Sequence, residues 1–189
     1  SGTTGKPKGV MSRHDQTIRV FLEWSDIVGL NETDRYLIVN PFFHTFGYKA
    51  GFLACLLRGA AMLPVPVFDI PSVLQKISDE KISAIPGPPT LYLTILNHPD
   101  RAKFDLSSLR LAVTGAAAVP VEMIKRMRDE LNFEVILTAY GLTESTGTVT
   151  MCRADDDPVT ISTTSGRAIT DVEVRIVDEN NNEVPRGES

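Results

Sequence analysis

The sequence is poor in cysteine, in histidine and in excess basic charge, and each shortage excludes a class of protein. It has 2 cysteines, Cys55 and Cys152, far apart in the chain, so neither a disulfide framework nor a cysteine-based zinc site is expected. The 3 histidines have no second ligand at metal spacing. The chain has 19 Lys and Arg and 24 Asp and Glu, so its net charge is −5, which argues against a nucleic-acid partner.

Long apolar runs are missing as well. The most apolar region, residues 50–68, is broken by Arg58, Gly59, Pro64 and Pro66, which indicates a helix followed by a strand and no membrane span. No signal peptide is visible. We therefore expect a cytoplasmic protein, with peripheral membrane contact through a longer parent left open. The absence of an initiator Met and the ending VPRGES favour a fragment.

Short apolar runs alternate with amphipathic stretches, which predicts an α/β fold with a mostly parallel sheet and flanking helices. The expected strands are 35–40, 60–67, 82–87, 110–115 and 134–141, and the expected helices are 14–28, 48–57, 71–80, 89–97 and 120–131. The apolar faces expected for the first and last of these helices are Ile18, Phe21, Leu22, Ser25 and Val28, and Met123, Ile124, Met127 and Leu131.

The end of the chain has a different pattern. Val172, Val174 and Ile176 alternate with polar residues, and the turn DENNNE follows, which predicts an antiparallel hairpin. We therefore expect the α/β region to cover residues 1–162 and an incomplete, small antiparallel β subdomain to begin at 163–189.

The first ten residues, SGTTGKPKGV, have the composition of an anion-binding loop. Their glycines allow close backbone approach, and the hydroxyls and the lysines Lys6 and Lys8 are donors for phosphate oxygens. The loop is not a Walker A motif, because Pro7 follows Gly5-Lys6. Composition alone leaves phosphate binding and a plain polar turn as equal alternatives.

Three further segments follow predicted strands: PFFHTFG (41–47), TGAAAVP (114–120) and AYGLTES (139–145). Ligands of parallel α/β sheets bind at the carboxyl ends of strands, so these segments and the opening loop can surround one site. Tyr140 can offer a face to a purine, Thr143 a hydroxyl to a phosphate and Glu144 an oxygen to Mg²⁺. Taken singly, each segment is better explained as a structural turn or loop.

Together, the four segments resemble signatures of the adenylate-forming superfamily of acyl-CoA synthetases, luciferases and adenylation domains. SGTTGKPKGVM resembles its phosphate-binding signature, FFHTFG its histidine motif, GAA (115–117) its adenine-side loop and YGLTES its Tyr-Gly-x-Thr-Glu motif. GPP (87–89), Gly166-Arg167 and VPRGE are weaker matches. They occur in the family's order along essentially the whole chain.

Two positions favour acyl-CoA synthetases within this superfamily. Peptide-synthetase adenylation domains usually differ at the positions of His44 and Leu142. Three alternatives remain open: an adenylation domain that serves a carrier protein, a luciferase-like oxidase and a non-catalytic nucleotide-binding module. Ala168 replaces a usual proline and Lys49 lies near a region that often contacts the acyl group, so the identity of the acid is open.

The resemblance implies the fold of the superfamily's large N-terminal domain, present in part and without the C-terminal lid domain. It implies activation of a carboxylic acid by ATP and Mg²⁺ to an acyl-adenylate, followed by transfer to CoA. The implied nucleotide-binding residues are Ser1, Thr3, Thr4, Gly5, Lys8, Gly115, Ala116, Ala117, Tyr140 and Gly141. The implied catalytic residues are His44, Thr143 and Glu144, with Glu144 as the Mg²⁺ ligand, and the implied acyl-pocket residues are His44, Phe46 and Gly115.

The implied partners are a carboxylic acid, ATP and CoA, with no nucleic acid, and the oligomeric state is left open. The superfamily's ribose-binding aspartate, its hinge and its adenylation lysine have no counterpart in these 189 residues. We therefore expect the chain by itself to have little or no ligase activity.

Overall fold

Helices and strands alternate along the chain, as the apolar pattern predicts. The computed structural model describes residues 5–115 and 117–187. The helices are α1 (His14–Val28), α2 (Thr45–Gly47), α3 (Ala54–Arg58), α4 (Ile70–Glu80), α5 (Pro89–Leu96), α6 (Val121–Leu131) and α7 (Pro158–Thr163). The strands are β1 (Arg35–Ile38), β2 (Ala61–Pro64), β3 (Leu111–Thr114), β4 (Val135–Tyr140), β5 (Thr150–Met151) and β6 (Arg167–Ala168). A π-helical segment (Tyr48–Leu53) joins α2 to α3, and 3₁₀ turns lie at Arg101–Lys103 and Thr143–Ser145.

The first part of the sheet is parallel, as expected. Strand β1 pairs with β2 and β3 pairs with β4, in parallel in both cases. Ala84 forms parallel bridges to β1 on one side and to β3 on the other, so the order is β2, β1, residues 83–87, β3 and β4. The crossover connections contain α3, α4, α5 and α6.

Residues 83–87 hold the two strand pairs together. The Ser83 N–H donates to the Arg35 carbonyl at 3.0 Å, and the Gly87 N–H donates to the Val113 carbonyl at 2.9 Å. The predicted strand 82–87 is thus an extended segment with one bridge residue and no regular ladder. Pro86 contributes to this difference because its nitrogen has no hydrogen to donate.

An antiparallel extension follows β4. Strand β5 pairs antiparallel with β4, and β6 pairs antiparallel with β5. Each has only two residues, too few for a sequence pattern to predict. In the tail, the predicted hairpin turn forms, with one antiparallel bridge between Val177 and Glu183, but the described residues 172–187 contain no strand. The division at residues 162 and 163 stays a prediction.

The buried face of α1 differs in part from the predicted one. The helix buries Val20, Phe21, Trp24, Ser25 and Val28, while Ile18 and Leu22 are 42% and 37% exposed. Two neighbouring faces share Phe21, Ser25 and Val28, and helical spacing alone does not choose between them. Burial of the large Trp24 ring favours the observed face. In α6 the four predicted apolar residues are all buried.

The core is apolar, and two tyrosine hydroxyls buried in it find backbone partners. The Tyr36 hydroxyl donates to the Ala50 carbonyl at 2.9 Å, and the Tyr92 hydroxyl donates to the Ile85 carbonyl at 2.5 Å. Cys55 is a buried free thiol, and burial raises its pKa to about 12. No helix within residues 5–115 and 117–187 has the length and apolarity needed to cross a bilayer.

A buried carboxylate joins the amino ends of three neighbouring segments of the sheet. Asp34, immediately before β1, is 2% exposed. Its oxygens accept hydrogen bonds from the Ser83 hydroxyl at 2.7 Å and from Arg110 Nη2 at 2.6 Å. Because Ser83 begins the middle segment and Arg110 precedes β3, this cluster fixes the relative position of β1, residues 83–87 and β3.

We expect Asp34→Asn to lower the free energy of unfolding by about 2 kcal/mol, because it removes charge-assisted hydrogen bonds from a buried site. Urea unfolding followed by circular dichroism measures this. Asp100→Asn is the matched control, since the Asp100–Lys103 pair is exposed and such pairs contribute little. Equal destabilisation by both substitutions would contradict the role given to the buried cluster.

Candidate functional site

A cavity of about 240 Å³ lies where β3 and β4 end. Three of the four segments expected to meet do so here: PFFHTFG, TGAAAVP and AYGLTES each contribute to its wall. The lining residues are Phe21, Trp24, His44, Thr45, Phe46, Ala50, Val113, Thr114, Gly115, Ala139, Tyr140, Gly141, Gly147 and Thr148. The predicted residues His44, Phe46, Gly115, Tyr140 and Gly141 are therefore neighbours in space.

His44 has a defined orientation at the edge of this cavity. It is the N-cap of α2, and its Nδ1 accepts a hydrogen bond from the Phe46 N–H at 3.1 Å. In a neutral imidazole, an accepting Nδ1 leaves the proton on Nε2. Gly47 makes the turn compact, since a Cβ there would lie 2.3 Å from the Pro41 carbonyl oxygen. The ring thus has a hydrogen-bond donor, Nε2–H, left for a ligand.

Lys49 connects two walls of the cavity. It lies in the π-helical segment, next to the lining residue Ala50, and it is buried. Its ammonium donates to the Thr146 carbonyl at 3.0 Å, and burial lowers its pKa. Thr146 precedes the lining residues Gly147 and Thr148. The contact therefore holds the loop after β4 against the segment that follows His44.

Glycines allow the segments around the cavity to pack closely. A Cβ on Gly141 would lie 2.0 Å from the Gly147 carbonyl oxygen and 2.7 Å from the Thr148 Cα. A Cβ on Gly115 would lie 2.7 Å from the Ala139 carbonyl oxygen. No side chain fits at either position without a shift of backbone, so these two glycines determine how closely the strand ends approach each other.

A second cavity, of about 330 Å³, borders the first through Gly115 and Tyr140. Residues 117–119 form one side of it and residues 162–165, with their hydroxyl groups, form another. Tyr140 is 49% exposed and lines both cavities, as does Gly115. The predicted residue Ala117 belongs to this second cavity. A flat ring can lie against Tyr140 here, with the backbone of the Gly115 loop beside it.

Of the predicted phosphate and metal residues, those that the structure describes are not among the residues that line the two cavities. Thr143 and Glu144 are exposed on the 3₁₀ turn after β4, where the Ser145 hydroxyl accepts a hydrogen bond from the Leu142 N–H at 3.1 Å. Gly5 and Lys8 are exposed. Ser1, Thr3, Thr4 and Ala116 are outside the described residues.

A metal ion at this site needs ligands beyond the side chains that the structure describes. In the part of the chain that the structure describes, no three His, Cys, Asp or Glu side chains come together to hold a metal ion. Mg²⁺ typically takes only one or two protein carboxylates and completes its shell with phosphate oxygens and water. Glu144, on an exposed turn beside Thr143, fits that requirement as a single ligand.

Nine of the lining residues were not among the sequence-based site candidates, and four of them show what signal the sequence carried. Phe21 and Trp24 belong to α1, and the sequence places them only as apolar residues of an amphipathic helix. Ala50 follows the histidine motif, and Thr148 follows YGLTES closely. For Ala50 and Thr148, closeness to a motif in the sequence could have indicated a place in the site. For the two aromatic residues the sequence offers no signal, because α1 lies far from every motif except the opening loop.

The sequence is similar to that of known proteins over nearly its whole length. A family model described as AMP-binding enzyme matches residues 1–189. A CoA ligase of Rhodococcus jostii (strain RHA1), named for a propanoyl group on a methyl-dioxo-octahydroindenyl ring system, is 60% identical over 95% of this chain. A ligase of the same name from Mycobacterium tuberculosis (strain ATCC 25618 / H37Rv) is 52% identical over 95% of the chain. The chain spans 35% of the length of each.

A solved structure shows the same fold. The anthranilate CoA ligase AuaEII, in complex with anthranoyl-AMP, superposes with a TM-score of 0.89 at 29% sequence identity. The match covers 100% of this chain and 36% of that one. The fold is therefore that of the N-terminal domain of adenylate-forming enzymes, present in part.

We expect Gly141→Ala to disturb the cavity, because its Cβ would collide with the backbone at Gly147 and Thr148. The melting temperature should fall by several degrees, as for other substitutions that force a backbone shift. Differential scanning calorimetry measures the change. Gly9→Ala is the control, since nothing lies within 4 Å of its added Cβ. An unchanged melting temperature for Gly141→Ala would disprove close packing at this position.

Proposed function

The chain belongs to the family of AMP-binding enzymes, and from this we propose that it is the nucleotide- and acyl-binding part of an acyl-CoA synthetase. The proposed reaction joins a carboxylic acid to CoA at the expense of ATP, which becomes AMP and pyrophosphate. Residues 1–162 form the binding region in this proposal, and residues 163–189 begin a further β subdomain. A cytoplasmic location is part of the same proposal.

The observation that carries the proposal is the convergence at the carboxyl ends of β3 and β4. His44, Gly115 and Tyr140 come from three segments that are far apart in sequence and line one cavity. That cavity continues into a second one through Gly115 and Tyr140. Two adjoining cavities suit a bipartite ligand such as an acyl-adenylate, with the acyl group in the first and the adenosine in the second.

Each predicted residue has a place in this scheme. Tyr140 and the backbone at Gly115, Ala116 and Ala117 hold the adenine, with Gly141 beside it. Ser1, Thr3, Thr4, Gly5 and Lys8 bind the β- and γ-phosphates. Thr143 donates its hydroxyl to the α-phosphate, and His44 and Phe46 border the acyl group together with Gly115.

Glu144 is the residue we assign to Mg²⁺. When bound, Mg²⁺ supplies positive charge that neutralises phosphate oxygens and favours attack at phosphorus. The chain's own contribution is to position Glu144 and Thr143 on one short turn, so that the carboxylate and the hydroxyl reach the same phosphate region. The turn is kept in shape by the Ser145 hydroxyl.

The proposed reaction has two displacements. In the first, a carboxylate oxygen of the acid attacks the α-phosphorus of ATP, and the bond from phosphorus to the pyrophosphate oxygen breaks. In the second, the CoA thiolate attacks the acyl carbon, a thioester forms, and AMP leaves with the carboxyl oxygen. Two anions must approach each other in the first step, so fixed donors at the phosphates lower the barrier.

The acid that we propose is compact and has fused rings. Phe21, Trp24 and Phe46 give the first cavity an apolar surface of limited size. Two relatives that are 60% and 52% identical are named for a dioxo-octahydroindenyl propanoyl group. We therefore propose the corresponding propanoic acid, a fused-ring acid with two ring ketones, as the substrate.

The proposed function is tested by Glu144→Ala in the full-length protein. Because the substitution removes the carboxylate assigned to Mg²⁺, we expect acid-dependent ATP–pyrophosphate exchange to fall by roughly 100-fold or more, with ATP binding largely kept. Exchange assays and calorimetry with ATP measure the two quantities. Glu179→Ala, in the exposed tail hairpin, is the matched control.

The outcomes distinguish the alternatives. If the unsubstituted protein binds ATP but catalyses no acid-dependent exchange, it is a nucleotide-binding module. If it forms the adenylate but transfers the acyl group only to a carrier protein and never to CoA, it is an adenylation domain. If Glu144→Ala exchanges pyrophosphate normally, Glu144 does not serve the metal.

The 189-residue chain by itself should release little or no AMP in the presence of acid and CoA. It spans about a third of the length of the two ligases, so residues that close the site in the proposed enzyme lie elsewhere. A coupled AMP-release assay checks this, with the full-length protein as the positive control. Turnover of the chain equal to that of the full-length protein would refute the expectation.

A further inference from the structure

Thr114 carries a buried hydroxyl that forms no hydrogen bond with the described part of the chain. The residue is the last of β3, is 1% exposed and lines the first cavity. A buried hydroxyl without a partner destabilises a folded protein, because it gives up hydrogen bonds to water and gains none. The Thr114 hydroxyl therefore lowers the stability of the ligand-free protein.

Packing alone does not account for a threonine here. Valine has the same branched shape, favours strands equally and lacks the hydroxyl. The register partner of Thr114 on β4, Thr138, gives a contrast. The Thr138 hydroxyl donates to the Ile161 carbonyl at 2.9 Å and lies 3.1 Å from the Cys152 sulfur. Of these two paired threonines, only the one that lines the first cavity lacks a partner.

We propose that the Thr114 hydroxyl is a specificity determinant that hydrogen-bonds an oxygen atom in the carbon skeleton of the acid. This inference rests on the proposed function. The hydroxyl oxygen is itself buried, and one χ1 rotation of this cavity-lining residue moves it to another staggered position, from which it reaches a ligand. Such a bond selects an acid with a ring carbonyl or hydroxyl over a hydrocarbon acid of the same shape.

The surroundings favour the acyl skeleton as the partner. Phe21, Trp24 and Val113 line the same cavity. The side chains of Phe21 and Val113 form no hydrogen bonds, and that of Trp24 has a single donor, the indole N–H. In a mostly apolar cavity, a few polar groups fix the orientation of a ligand. Thr45, Thr148 and Tyr140 also bring hydroxyls to the cavity wall, but the Thr114 hydroxyl lies on β3, a rigid element, which suits it to that task.

Thr150 provides a matched control. Its hydroxyl is also buried without a partner among the described residues, and the residue is 8% exposed on β5. It is not one of the residues that line the first or the second cavity. Thr114→Val and Thr150→Val therefore make the same chemical change, one at the cavity and one away from it.

The test compares two acids with the full-length protein, ATP and CoA. The first is the dioxo-octahydroindenyl propanoic acid of the proposed function, and the second is its analogue with both ring carbonyls replaced by CH₂. We expect the unsubstituted protein to prefer the first acid by about tenfold in kcat/KM, the effect of one hydrogen bond. Thr114→Val should abolish this preference through loss on the first acid, with the KM for ATP unchanged.

The companion variants separate specificity from stability. Both valine variants should raise the melting temperature, because both remove an unpaired buried hydroxyl. Thr150→Val should keep the preference between the acids, and Thr114→Ser, which keeps the hydroxyl, should keep it too. Equal losses with both acids would place the hydroxyl on the carboxyl group they share and would overturn the inference, as would a preference that survives in Thr114→Val.

Failure of the proposed function gives a different result. In that case the unsubstituted protein forms no acyl-CoA from either acid. Calorimetry then measures acid binding without turnover. About tenfold tighter binding of the dioxo acid, lost in Thr114→Val and kept in Thr150→Val, would support the inference. Equal binding of the two acids, or no binding of either, would overturn it.

Discussion

The extended segment 83–87 is the constraint on which the arrangement of the molecule depends. Its backbone bonds to β1 on one side and to β3 on the other, and it is the direct link between the two parallel strand pairs. The histidine motif follows β1, whereas the loops with Gly115 and Tyr140 follow β3 and β4. By keeping both pairs in one sheet, the middle segment brings these loops together.

The two edges of this sheet have different tasks. At the amino edge, Asp34 joins Ser83 and Arg110 through hydrogen bonds that fix the strands relative to one another. At the carboxyl edge, glycines and short turns allow loops to approach closely, and His44, Thr114 and Tyr140 line a cavity there. Parallel pairing separates the two regions, since all strand ends of one kind lie on the same side.

The sequence was sufficient for the order of elements and for the segments that meet. Apolar runs of strand length and glycines after strands are local signals, and the segments with His44, Gly115 and Tyr140, which they predict to meet, line one cavity. The sequence did not predict that Phe21 and Trp24 form an aromatic wall of the cavity. The apolar face of a helix shows that it is buried but not which part of the protein it contacts. Two-residue strands such as β5 and the unpaired hydroxyl of Thr114 depend on tertiary contacts, which no local pattern encodes.

The π-helical segment Tyr48–Leu53 has a consequence for how this cavity can change over evolution. A π-helical turn contains one residue more than an α-helical turn, so it accommodates an insertion inside a helix while the flanking turns keep their packing. Ala50, on the cavity wall, and Lys49, behind it, both lie in this segment. Loss of one residue here would reshape the wall and leave α3 in place. Insertion and deletion, and not substitution alone, are thus routes by which a lineage can change the shape of this cavity.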